Sequence, residues 1–98
     1  MAFIKIENCD TYETRKRERE IQLLINVIEP DPEYQPIFIS DEATFLDVTG
    51  KEKELIESRL EFYLKSELPA SLNTPLWKYV DILKTKYSGW PEEWPLEN

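Results

Sequence analysis

The chain has no histidine and a single cysteine, Cys9, in 98 residues. Without imidazole there is no Ser-His-Asp or Cys-His relay, no histidine general base and no histidine-bound zinc. One cysteine permits no intrachain disulfide and no thiolate cluster. Glycine is almost as scarce, with Gly50 and Gly89 alone. Two isolated glycines build neither a phosphate-cradling loop nor a dinucleotide fingerprint. Thr49-Gly50-Lys51 resembles a fragment of a phosphate loop, but it lacks the glycine-rich approach and reads as a helix start.

No stretch comes near the roughly 18 consecutive apolar residues of a membrane span. The opening Met1–Glu7 is interrupted by Lys5 and Glu7 and is not patterned as a signal peptide. The expectation is a cytoplasmic protein with no membrane association. Cys9 lies beside Asp10, whose charge disfavours a thiolate, and reads as structural rather than reactive.

What is present is charge and aromatic area. Twenty acidic residues face twelve basic ones, for a net charge of −8, and 41% of the residues are hydrophobic. The excess sits in the middle. Residues 29–57 hold Glu29, Asp31, Glu33, Asp41, Glu42, Asp47, Glu52, Glu54 and Glu57 against Lys51 and Lys53. Such a chain is repelled by phosphate backbones and attracted to basic partners.

The length suits one domain, 1–98, with 90–98 as an irregular Trp- and Pro-rich tail. Residues 2–7 read as a short strand. Within 11–28, Ile21, Leu24, Ile25 and Ile28 fall on one helical face, and Asp10 with Glu13 resembles a capping box. The alternation of Ile21, Leu23, Ile25 and Val27 keeps a strand over 20–28 open. Residues 36–39 and 44–48 read as two strands of a hairpin joined at Ser40-Asp41-Glu42-Ala43. Thr49 and Glu52 predict the cap of a helix over about 50–67, with Leu55, Ile56, Leu60, Phe62, Tyr63 and Leu64 as its apolar positions. Thr74 and Pro75 predict the start of a last helix, with Leu76, Val80, Leu83 and Tyr87 on one face and Gly89 at its end. The expected class is α+β: a small antiparallel or mixed sheet of three to four strands packed against two or three helices.

Three features suggest binding. Asp41, Glu42 and Asp47 would gather on the hairpin as an acidic surface for a basic protein groove, in the manner of an inhibitor or antitoxin that mimics nucleic-acid charge. Trp90, Glu92, Glu93 and Trp94 form a candidate docking peptide, with Trp90 and Trp94 folding back to close the core as the favoured alternative; Trp77 reads as core or its rim. Arg15, Lys16, Arg17 and Arg19 form a basic patch, interleaved with Glu18 and Glu20 and self-paired on a helix surface; nucleic acid is an unfavoured partner. Carboxylate-metal chemistry through Asp31, Asp41, Glu42 or Asp47 is the enzymatic alternative. It lacks the supporting pattern, since no lysine follows an acidic residue at a spacing of two. The expectation is therefore a non-catalytic, acidic protein-interaction or regulatory module with no catalytic residue, metal or cofactor. A homodimer through an open sheet edge or an exchanged tail is left open.

Overall fold

The computed structural model describes residues 11–36 and 38–92, and these are helical. Among the described residues five α-helices follow one another: α1 (Tyr12–Lys16), α2 (Glu18–Ile28), α3 (Phe45–Val48), α4 (Lys53–Leu64) and α5 (Leu76–Lys86), with a 3-10 turn at Pro32–Tyr34. No strand occurs among the described residues. The one β-type pairing is an isolated antiparallel bridge between Thr44 and Pro75. The expected α+β class, with its sheet of three to four strands, is thereby overturned. The strand expected at 2–7 lies outside the described residues.

The hairpin fails for a local reason. Thr44 is followed three residues later by Asp47, and the pair closes a capping box. Thr44 Oγ1 accepts from the Leu46 N–H at 3.2 Å, and the Asp47 carboxylate accepts from the Thr44 N–H at 2.9 Å. This fixes Phe45–Val48 as one helical turn. Residues 45 and 48 then share a face, and both are buried. In a strand they would point to opposite sides. Residues 38–40 run without regular structure, and Ser40–Ala43 is a turn closed by Ala43 N–H to Ser40 O at 3.1 Å.

Helix α2 settles the helix-or-strand question. Ile21, Leu24, Ile25 and Ile28 are each 2% exposed or less, as one apolar face of a 3.6-residue period requires. The face packs on α4 and α5. There it meets Ile56, Leu60 and Leu64 of α4 and Leu76, Tyr79, Val80 and Leu83 of α5. Phe45 and Tyr79 meet edge to face, with ring centroids 5.0 Å apart. Full burial of such side chains contributes about 1.5–3 kcal/mol each.

Two helix starts differ from expectation. Helix α4 begins at Lys53, with Glu52 as its N-cap and no side-chain cap. Thr49, expected to cap it, instead donates its hydroxyl to the buried Glu29 carboxylate at 3.0 Å. Pro75 is the N-cap of α5 rather than its first residue, and Thr74 lies outside. The helix gives way at Tyr87, and Gly89 sits in the following turn at φ 89°. That left-handed conformation is one glycine adopts at little cost.

Candidate interaction surfaces

The three aspartates of the middle segment, Asp31, Asp41 and Asp47, are engaged at helix starts. Helix α1 has Thr11 as its N-cap, and the Thr11 side chain makes no capping hydrogen bond; the Asp10 of the expected capping box lies outside the described residues. The first amides of the helix are satisfied from far along the chain. The Asp41 carboxylate accepts from the Glu13 N–H at 3.0 Å and the Thr14 N–H at 2.7 Å. Burial pushes the Asp41 carboxyl up. The amides of Glu13 and Thr14, the Thr14 hydroxyl and the Arg17 charge outweigh it, so the group is held below the ordinary carboxylate range. The Asp41 carbonyl accepts from Trp77 Nε1 at 2.9 Å, and the Ala43 carbonyl accepts from the Leu76 N–H at 2.9 Å. The 40–44 turn therefore clamps the N-terminal ends of α1 and α5 together.

Asp47 is committed to the Thr44 capping box, and Asp31 caps the 3-10 turn through the Glu33 N–H at 3.0 Å. Glu29 is 2% exposed, held by the Thr49 hydroxyl and by Lys51 Nζ at 3.5 Å. Of the expected acidic cluster, Glu42 is exposed, and it alone has a side chain in no hydrogen bond or ion pair among the described residues. Asp41 and Asp47 are structural anchors first. No group of three or more metal-capable side chains gathers among the described residues.

The basic patch is also largely self-paired. Arg17 stands at the break between α1 and α2. Its guanidinium makes a two-point contact with Asp81, Nε to Oδ1 at 2.8 Å and Nη2 to Oδ2 at 2.9 Å. Nη1 adds Glu13 Oε1 at 2.9 Å, the i, i+4 pair its spacing predicts, and the group lies 5.0 Å from the Trp77 ring centroid. The Asp81 hydrogen bond is the largest influence on Arg17 and raises its pKa further. Lys16 reaches Glu13 at 3.8 Å, and Arg19 pairs with Glu92 and Glu20. Arg15 is exposed and in no ion pair among the described residues.

Trp90 is 3% exposed and belongs to the core, donating Nε1 to Tyr63 Oη at 3.0 Å. Glu92 is exposed on Arg19, whose hydrogen bond lowers its pKa. Glu93 and Trp94 lie outside the described residues. Trp77 is half-buried at the rim of the core.

A further surface was not among the expected sites. The apolar positions predicted for the fourth helix divide into two faces. Ile56, Leu60 and Leu64 are buried, whereas Leu55 is 39% and Phe62 86% exposed. At about 100° per residue, Phe62 lies about 200° around the helix from Leu60. Its ring borders a shallow groove between the C-terminal end of α2 and the outer face of α4, lined by Val27, Pro30, Ser58, Arg59, Phe62, Tyr63 and Lys65. Arg59 Nη1 donates to the Ile28 carbonyl at 2.8 Å and fixes the groove wall to the end of α2. Tyr63 is fixed by the Trp90 indole, and burial raises its phenol pKa against that hydrogen bond. A helical wheel drawn on the sequence carries the signal, because Phe62 falls opposite the Ile56–Leu60–Leu64 stripe. No helix among the described residues is long and apolar enough to cross a membrane.

Comparisons of the chain with protein-family models, with curated proteins and with solved structures give no match.

Proposed function

We propose that the protein is a non-catalytic interaction module that docks another protein through the Phe62 face. The observation that carries this reading is the exposure of Phe62, 86%, on a groove whose lining surface is mainly apolar and whose Arg59 and Tyr63 are held by hydrogen bonds. Phenylalanine fully at the surface contributes little to the fold. Contiguous exposed apolar area on a rigid scaffold marks an interaction site, and aromatic anchors on preorganised surfaces supply much of the binding energy at interfaces.

Leu55 lies two turns before Phe62 on the same outer face, about 10 Å along the helix axis, and extends the apolar stripe. This geometry suits an amphipathic segment laid along α4. The excess negative charge supports solubility and shapes the rate of encounter, while the groove supplies the contact.

The test is affinity capture with the wild-type chain and Phe62→Ser in parallel. A protein retained by the wild type and lost by the variant, with both chains equally folded, supports the reading. Identical capture by the two chains contradicts it.

A further inference from the structure

We infer that the occupant of the Phe62 groove is a protein segment in which an apolar anchor is flanked by carboxylates. This rests on the reading of that face as a docking surface and adds the chemistry of what docks. The groove has a charge balance opposite to that of the chain. Its lining contains two cations, Arg59 and Lys65, and no aspartate or glutamate, in a protein with twenty acidic residues against twelve basic.

Among the described residues neither cation has a carboxylate partner, a state they share with Arg15, Lys53, Lys78 and Lys86, whereas Lys16, Arg17, Arg19, Lys51 and Lys84 each lie within salt-bridge distance of one. Arg59 spends Nη1 on the Ile28 carbonyl, and its remaining N–H groups are available for the two-point carboxylate contact that a guanidinium favours. Lys65 is the C-cap of α4 at φ 61°, ψ 31°. Glycine occupies that left-handed conformation at about 1–2 kcal/mol less cost than an L side chain. A cation is thus held at the groove edge against a backbone preference.

Other occupants fit less well. A basic segment would bring like charges onto Arg59 and Lys65. A second copy in a two-fold contact would set the same pair of cations against itself, because such an interface presents the same patch from both sides. The net charge of −8 does not reverse this. Screening over about 8 Å at physiological ionic strength leaves the groove's own charges to decide the contact, while the distant ones set the encounter rate.

The experiment is selection of a random peptide library, displayed on phage, against the full chain, with a parallel selection against Phe62→Ser. The affinity of one enriched peptide is then measured on the wild type, Arg59→Gln and Lys65→Gln. The expected result is peptides that need Phe62, carry an aromatic or aliphatic anchor beside Asp or Glu, and bind about two- to fivefold more weakly when either cation is removed. Lys65→Gln decides the matter if Arg59→Gln also lowers the melting temperature, since Arg59 supports the end of α2. Phe62-dependent peptides that are basic or indifferent to charge would overturn the inference and leave the docking face standing. Failure to enrich any peptide that distinguishes the wild type from Phe62→Ser would bring down both.

Discussion

The Asp41 carboxylate holds the Thr14 amide at 2.7 Å across 27 residues of sequence, and through that contact one helix is capped by a distant turn. An acceptor that satisfies helix N-terminal amides is worth about 0.5–2 kcal/mol. Asp41→Ala is expected to lower stability by about 1–2 kcal/mol, and Asp41→Asn, which keeps one acceptor, by less. The pH dependence follows from the direction of the shift. The folded carboxyl is held below its ordinary range, so its contribution is complete above the unfolded value of about 4 and is lost as pH falls through the folded value. Urea midpoints of the wild type and Asp41→Asn should converge as the pH is lowered below about 4.

The Arg17–Asp81 contact joins the α1–α2 corner to α5. Asp81 is about half exposed, and solvent reduces what the pair contributes. A double-mutant cycle with Arg17→Met and Asp81→Asn should give a coupling of about 1 kcal/mol, near the upper limit for a partly exposed pair. Arg17→Lys should recover little of it, because an ammonium cannot make the two-point contact.

Core and docking face should separate by stability. Leu24 is completely buried, and Leu24→Ala should cost about 2–5 kcal/mol. Phe62→Ser should stay within about 0.5 kcal/mol of the wild type. Both values come from chemical denaturation monitored by tryptophan fluorescence. A loss of several kcal/mol in Phe62→Ser would place that ring in the core.

Tyr79 lies in the centre of the core and donates its hydroxyl to the Ala70 carbonyl at 2.9 Å. Burial pushes its pKa up to about 12. A phenol whose folded value is raised contributes stability that is complete below the unfolded value of about 10 and fades as pH rises toward the folded one. Ultraviolet titration should show one tyrosine that ionises well above the others or only on alkaline unfolding. Tyr79→Phe should remove that step and cost about 0.5–1.5 kcal/mol.

Several of these features can be read from the sequence. The Ile21–Leu24–Ile25–Ile28 face follows from its period, as does the face of α5, although Tyr79 at the i+3 position completes it. The sequence suggests a sheet because Ile37-Phe38-Ile39 and Phe45-Leu46-Asp47-Val48 are apolar-rich runs too short for period 2 and period 3.6 to be distinguished. The Thr44–Asp47 spacing held the deciding signal. The Asp41 cap had no local signal, since its partner amides lie 27 and 28 residues away. Of the carboxylates proposed for binding, Asp47 is spent on a local capping box and Asp41 on the amides of a distant helix, the latter a use set by tertiary position. Phe62 was legible in principle, by its angle from the core stripe, and was hidden by being counted with the apolar residues of its helix.

The most direct test of the docking face is site-specific photocrosslinking. A photoreactive phenylalanine analogue is placed at position 62 and, as the control, at the exposed Thr85 position of α5, in the full chain expressed in its native cell. The account predicts a discrete protein adduct from position 62 that is absent from position 85. No adduct at position 62, or the same adducts from both positions, would contradict it.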